Sequence, residues 1–200
     1  MHNIVNTKNF NNCNFHNKKL SKLFLQEEHK FKPPATVYDR MSGYQVYNDV
    51  YNIFQWKYMS IVWLGYNIYN FIKETFNEET IDDYFIHGWF NVLDSDEFLH
   101  WHTHFKRFGE CREKENLFMI SGHYMVDAEN SATIYRDNNK EFSIPTENGM
   151  CTIFDSKLEH KSDFKKDGLR TSIAFDIIPK KECTKRKSVR KVLCKLGDIK

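Results

Sequence analysis

Six short segments with the composition of β-strands follow one another between residues 84 and 178, and they constrain the fold more than any other feature of this chain. Each segment is bounded by turns that contain Gly, Asn, Asp or Pro. Strands of this length and spacing are typical of a β-sandwich or a β-barrel. The sequence therefore predicts a mainly β domain of jelly-roll type. The six segments are residues 84–93, 117–127, 131–137, 141–144, 149–154 and 169–178.

The chain on either side of this β domain has a different character. Residues 1–30 are predicted to be a polar, Asn-rich arm that is partly helical. Residues 31–82 begin with a loop at two adjacent prolines and continue with apolar residues at helical spacing, with a break near Gly65. These helices are expected to pack on the sheet. The β domain itself is assigned to residues 83–179, and a tail follows at 180–200.

The tail is the strongly basic part of the protein. Residues 180–200 contain nine Lys or Arg against one Asp and one Glu, whereas the whole chain has a net charge of only +2. The rest of the chain is therefore acidic. A basic tail on an acidic domain is compatible with nucleic acid or another polyanion as a partner. A solvated tail without any partner is the more frequent case.

The expected environment is the cytoplasm. The five cysteines are odd in number and contain no C-x-x-C pair, which argues against a disulfide framework and favours a reducing compartment. The N-terminus lacks the apolar run of a signal peptide. The most hydrophobic window, residues 59–72, is too short to cross a membrane. The sequence predicts a soluble protein of one domain and does not indicate its oligomeric state.

Three histidines alternate in the segment HWHTH, at positions 100, 102 and 104. An extended segment would point all three side chains in the same direction. A fourth histidine, His160, follows the strand-like segment 149–154. Two histidines at i and i+2 and one distant histidine can occupy one face of an octahedral metal site and leave three positions open. Imidazole binds several transition metals, so the spacing does not identify the metal. His100 is expected to be exposed.

The last predicted strand indicates a cavity on one of its faces. Arg170, Ser172, Ala174 and Asp176 alternate with apolar residues and therefore share one side of the strand. Small side chains beside a guanidinium leave space rather than a packed core. A buried Arg needs a partner, and a carboxylate can accept two parallel hydrogen bonds from it. The alternative is an edge strand whose polar face meets solvent.

In combination, these motifs resemble those of the iron(II)/2-oxoglutarate-dependent oxygenases, and most closely the small oxygenases of that family. The resemblance covers residues 88 to about 178. It implies a double-stranded β-helix, a jelly-roll or cupin-like barrel, and a dioxygenase (hydroxylase) that uses Fe(II), 2-oxoglutarate and O₂ and releases succinate and CO₂. The matching pieces are GWFNVL (88–93), HTHF (102–105), SGHYMV (121–126), GMCTIFDSKLEH (149–160) and RTSIAFDI (170–177).

The resemblance also implies a set of metal ligands. By position, His102 and His160 would bind the iron. The family usually has a carboxylate two residues after the first His, and this chain has His104 there. Either His104 is the third ligand, or a carboxylate such as Asp96 or Glu97 completes the site.

The resemblance also implies which residues bind the co-substrate, 2-oxoglutarate. Arg170 would bind the distal carboxylate of 2-oxoglutarate, and Ser172 would add a hydrogen bond. Tyr124 is a further candidate for a co-substrate contact, with an ordinary core tyrosine as the alternative. His123 points to the opposite face of the same segment and is expected to be structural.

Two other functions fit parts of the sequence. A cupin-type metalloenzyme with three His ligands would add Glu110 as a ligand, would not use 2-oxoglutarate, and would bind its substrate directly through Arg170. A non-catalytic jelly-roll binding module would hold no metal at all. The substrate is not predicted, because this scaffold serves many chemical classes.

Overall fold

The computed structural model describes residues 5–27, 52–76, 84–95, 97–104, 119–163, 168–179 and 194–199. Two α-helices are present in these ranges, α1 (Cys13–Glu27) and α2 (Met59–Phe76), with short 3-10 helices at Ile53–Gln55 and Leu196–Ile199. None of these helices is long and apolar enough to cross a membrane. The strands are β1 (Val5–Asn9), β2 (Phe85–Leu93), β3 (Ile120–Asp127), β4 (Ala132–Asp137), β5 (Lys140–Pro145), β6 (Met150–Asp155), β7 (Glu159–Ser162), β8 (Arg170–Ile178) and β9 (Cys194–Lys195).

The strands form two antiparallel sheets. The larger sheet has the order β1-β6-β3-β8-β2-β9, and the smaller has the order β5-β4-β7. Side chains from both sheets line one cavity. The predicted mainly β fold with N-terminal helices is confirmed. Strand pairing within the described ranges does not close the two sheets into a continuous barrel.

Both helices cover one face of the larger sheet. The apolar residues of α2 recur every three or four positions and therefore form one stripe, which packs on the sheet together with α1. Complete burial of one such side chain contributes about 1.5–3 kcal/mol. The opposite face of the sheet is thus the one that faces the smaller sheet and the cavity. The helical residues in this core include Leu20, Leu23, Ile61, Leu64, Ile68 and Ile72.

Strand β8 shows how the sequence divides these two faces. Ile173, Phe175 and Ile177 belong to the core beneath the helices, whereas Arg170 and Ser172 line the cavity. Successive side chains on a strand point to opposite sides of the sheet, so this division follows directly from the alternation in the sequence. The prediction that the polar face of this strand borders a cavity is confirmed.

Parts of the predicted arm and tail belong to the larger sheet. Strand β1 lies within the arm and pairs with β6, and β9 lies within the tail and pairs with β2. Leu196, next to β9, is fully buried. The sequence of β1, VNTKN, has little apolar character because an edge strand exposes much of its surface. These pairings extend the sheet beyond the predicted β domain.

Helix α2 runs without interruption through Gly65, so the predicted break at this position is wrong. A Cβ atom at Gly65 would lie 2.1 Å from Cγ2 of Ile199, which packs against the helix here. Glycine costs about 1 kcal/mol in a helix relative to alanine. A larger side chain at position 65 would collide with Ile199, so the close packing of Leu196–Ile199 on the helix requires glycine and offsets its cost.

Candidate metal centre and co-substrate cavity

A single cavity collects most of the residues that carry the candidate chemistry. Strands β2, β3 and β8 form one wall, β4 and β7 form the other, and residues 99–104 lie along one side. The enclosed part of the cavity has a volume of about 20 Å³, room for roughly one water molecule, and the total reaches about 340 Å³ only when the open mouth is included. A ligand larger than a water molecule would therefore also occupy the open mouth of the cavity.

Three histidines meet in this cavity. One ring nitrogen each of His102, His104 and His160 lies within 4.8 Å of the other two. Backbone pairing causes this arrangement, because His102 and His160 exchange two N–H···O hydrogen bonds of 3.0 Å. His160 lies in strand β7, which is not among the six strand segments that the sequence predicted. The structure therefore brings together all three predicted metal ligands.

Hydrogen bonds fix the orientation of all three rings. His102 and His160 each use Nδ1 to bond the backbone carbonyl two residues earlier in the chain, at 2.7 and 3.1 Å. His104 uses Nδ1 to bond Oδ1 of Asp176 at 2.6 Å. A carbonyl or carboxylate oxygen can only accept, so Nδ1 carries the proton in each ring and a neutral ring offers Nε2 to a metal. Metal-binding histidines commonly have such supports.

Burial favours the neutral form of the His160 ring. The pKa of His160 lies well below its ordinary value, first because the ring is desolvated and second because His102 and His104 are close. A neutral imidazole is the form that binds a metal ion. The donor set, the tautomers and the spacing of the three rings thus fit a divalent transition metal with open coordination positions.

Arg170 lies in the same cavity without an acidic partner in the described part of the chain. Its guanidinium donates to three hydroxyl oxygens, those of Ser131 at 3.1 Å and of Thr133 and Ser172 at 3.4 Å. The side chain is buried, and desolvation lowers its pKa to about 10. The group thus remains a cation at neutral pH. Burial of a cation among neutral groups is costly, and an anionic ligand would offset that cost.

Tyr124 does not lie in this cavity, which corrects the prediction that it contacts the co-substrate. It is buried on the helix side of the larger sheet, donates a hydrogen bond of 2.5 Å to Asn17 Oδ1, and stacks on Phe10. Its neighbour His123, which the sequence suggested to be structural, lines the cavity instead. The reason is register: β3 pairs with β8 so that His123 lies opposite Ala174 on the cavity face.

The sequence did not identify two further residues of the site. Asn91 on β2 lies opposite Ser172 and lines the cavity, and its Oδ1 is buried without a hydrogen-bond partner among the described residues. Asp176 was placed on the correct face of β8 but was given no role. The alternation of β2 would have identified Asn91 if the pairing of β2 with β8 had been known.

Of the alternative carboxylate ligands, the structure describes only Glu97. Glu97 accepts a hydrogen bond from the backbone N–H of Asp94 and does not belong to the cluster of histidines. Asp96 and Glu110 lie outside the described residues. His100 is exposed, as expected, and contributes its backbone carbonyl to the support of His102.

Replacement of Tyr124 by Phe tests its position. We expect the free energy of unfolding to fall by about 1–3 kcal/mol, because Asn17 Oδ1 loses its buried donor. The affinity for 2-oxoglutarate should not change. Denaturant unfolding measures the first quantity and calorimetric titration in the presence of metal measures the second. A tenfold loss of affinity for 2-oxoglutarate would restore Tyr124 as a co-substrate contact.

No protein-family model matches the sequence, and no curated protein is similar to it in sequence. Solved structures are similar to it in fold. A Pseudomonas putida prolyl-4-hydroxylase aligns with a TM-score of 0.60 at 10% identity, over 88% of this chain and 92% of that one. The viral collagen prolyl hydroxylase vCPH from Paramecium bursaria Chlorella virus-1, solved as a 2-oxoglutarate complex, aligns with a TM-score of 0.59 at 11% identity, over 88% and 97%.

A third similar structure is HygX from Streptomyces hygroscopicus with nickel and 2-oxoglutarate bound, with a TM-score of 0.59 at 8% identity over 89% of this chain and 83% of that one. At such low sequence identity, the similarity to these structures shows a shared fold and no more. It agrees with the architecture that the resemblance in sequence implied. The protein thus has the double-stranded β-helix fold of the 2OG-Fe(II) oxygenases.

Proposed function

We propose that this protein is a non-haem iron(II)- and 2-oxoglutarate-dependent oxygenase that hydroxylates a substrate. The observation that carries this proposal is the presence in one cavity of two complementary groups, a cluster of three histidines and the buried cation of Arg170. A ligand that joins the two must have a metal-binding group at one end and an anion at the other. A 2-oxo dicarboxylate such as 2-oxoglutarate has both.

His102, His104 and His160 would hold the metal through their Nε2 atoms. Bound iron(II) would supply the activation of O₂, with 2-oxoglutarate as the source of two electrons. The overall reaction converts 2-oxoglutarate, O₂ and a C–H bond into succinate, CO₂ and a C–OH group, so that one oxygen atom enters each organic product. The residues of this chain bind and orient the reactants and limit the access of water.

Arg170 would bind the distal carboxylate of 2-oxoglutarate by two parallel hydrogen bonds. Ser172 and Thr133 already contact the guanidinium and would orient it or add hydrogen bonds to the same carboxylate. This contact would replace the missing anion and would lower the cost of burying the cation. The co-substrate would thereby be fixed at the end of the cavity that lies away from the histidines.

The test is an anaerobic titration of the purified protein with iron(II) and then with 2-oxoglutarate, followed by visible absorption. We expect a metal-to-ligand charge-transfer band that requires both additions. Succinate, which lacks the 2-oxo group, is the matched control and should give no band. Tight metal binding without a band would favour the cupin-type function. Absence of stoichiometric metal would favour a binding module.

A further inference from the structure

A carboxylate lies directly behind one of the three histidines. Asp176 accepts the 2.6 Å hydrogen bond from Nδ1 of His104, and both side chains are buried. Ser121 Oγ donates to the same carboxylate oxygen at 2.7 Å. Asp176 and Arg170 lie on the same face of β8, so one strand carries both this carboxylate and the candidate anchor for the co-substrate.

We propose that His104 and Asp176 together act as one anionic metal ligand, in which Asp176 supplies the negative charge and the imidazole supplies the metal-binding atom. This proposal rests on the proposed function, because it assumes that the three histidines bind iron(II). Asp176 is then a positioning residue that also sets the charge of the centre. It takes over the role of the carboxylate that the resembled family has at position 104.

The charge balance supports this role. A divalent metal with three neutral imidazoles carries two positive charges, whereas two imidazoles and one carboxylate leave a single positive charge. Counting Asp176 as part of the centre of this chain gives that same single positive charge. Dianionic 2-oxoglutarate would then produce the same net charge as in a centre of two histidines and one carboxylate. Compared with a carboxylate that binds the metal directly, the carboxylate of Asp176 would lie farther from the metal by the length of one imidazole ring.

Hydrogen bonding provides the physical link between the carboxylate and the metal. A carboxylate that accepts from Nδ1–H increases the electron density on the ring and makes Nε2 a stronger donor to the metal. The effect is greater in a buried site, where solvent screens the charge only weakly. The other two rings bond to neutral carbonyl oxygens, so His104 is the ring in this cluster that is expected to be the strongest donor.

The first test replaces Asp176 by Asn. Asn has nearly the same shape, and its carbonyl oxygen can still accept from Nδ1 of His104, so the ring stays oriented while the charge is lost. We expect the affinity for iron(II) in the absence of 2-oxoglutarate to fall by about 10- to 100-fold, as measured by anaerobic competition with a chromophoric chelator. We also expect the charge-transfer band to move to shorter wavelength, because a less electron-rich metal releases its electron at higher energy.

Ser121→Ala is the matched control for this test. It removes the other hydrogen bond to the same oxygen of Asp176 and keeps the charge. It should bind iron(II) at least as tightly as the wild type and should not move the band to shorter wavelength. Wild-type affinity and an unshifted band in Asp176→Asn would overturn the proposal. So would equal effects in the two variants, because these would indicate a purely structural role.

A second measurement uses the wild-type protein and does not depend on the folding of the variant. With Zn(II) as a diamagnetic probe and ¹⁵N-labelled histidine, we expect the Nδ1–H proton of His104 to resonate downfield of those of His102 and His160. Similar shifts for the three protons would contradict the proposal. The outcomes also separate the two proposals: metal affinity tests Asp176 even if 2-oxoglutarate gives no band, and a protein that binds no metal disproves both.

Discussion

Replacement of Arg170 by Met is expected to weaken 2-oxoglutarate binding by about 30-fold or more, while leaving the ligand-free protein at least as stable as the wild type. Loss of a buried, charge-assisted contact to a carboxylate typically costs about 2–5 kcal/mol, or roughly a 30- to 5,000-fold increase in Kd. Calorimetric titration in the presence of iron(II) without oxygen measures this change. Arg170→Lys keeps the charge but not the two parallel hydrogen bonds, and should have an intermediate affinity.

The ligand-free Arg170→Met variant should be no less stable than the wild type because of the environment of Arg170. Among the described residues, Arg170 makes hydrogen bonds only to neutral groups, so its burial costs free energy that contacts within the chain do not fully repay. Met has a similar length and no charge, so it removes this cost and leaves little empty volume. Denaturant unfolding without ligand should therefore show no loss of stability.

Ligand-induced stabilisation provides the complementary control. The wild type should gain about 2.7 kcal/mol when 2-oxoglutarate is present at 100 times its Kd, and Arg170→Met should gain less than about 1 kcal/mol at the same concentration. A large loss of stability in the ligand-free variant, with unchanged affinity for 2-oxoglutarate, would show that Arg170 supports the fold and does not bind the co-substrate.

Replacement of His160 by Ala is expected to weaken metal binding about 100-fold. His160 is buried and its backbone pairs with that of His102, so the ring nitrogen is held close to the two other candidate ligands. If a binding free energy of about 10–16 kcal/mol is shared among four ligands, as in structural zinc sites, the loss of one ligand costs roughly 3 kcal/mol or about 100-fold in affinity. Equilibrium dialysis with iron(II) or cobalt(II) measures this loss.

His123→Ala is the matched control for this variant. His123 lines the same cavity, is similarly buried, and has a pKa that desolvation lowers in the same way, but it does not belong to the cluster of three ligand atoms. Both variants remove an imidazole of the same size, so their losses of stability should be comparable. The large loss of metal affinity should occur only in His160→Ala. Equal retention or equal loss in the two variants would exclude the proposed ligand set.

The features that the sequence predicted correctly are those that a local pattern encodes. The alternation in β8 placed Arg170 and Ser172 on the face opposite the apolar residues, because the two-residue period of a strand is a property of the backbone itself. The same period placed His102 and His104 on one face. The strand segments from β2 to β8 were also predictable, except for β7, whose four residues contain no apolar run.

The register and the pairing partners of the strands could not be predicted from local patterns. Which of His123 and Tyr124 faces the cavity depends on the register of β3 against β8, and a shift by one residue would exchange them. That register is set by how the whole sheet packs under the helices, and not by the residues near the two side chains. The placement of β1 in the sheet is equally non-local, because its partner β6 lies more than 140 residues away.

The pairing of His104 with Asp176 depends entirely on the tertiary structure. The sequence shows a histidine where the resembled family has a carboxylate, and it shows an aspartate on the cavity face of a later strand. Nothing in either local pattern joins the two, since they are 72 residues apart and meet only when β8 lies beside the segment that carries the histidines. Local sequence patterns specify the chemical groups and the strand faces on which they lie. Strand pairing and helix packing specify which of those groups touch, because contacts between distant segments depend on the free energy of the whole fold.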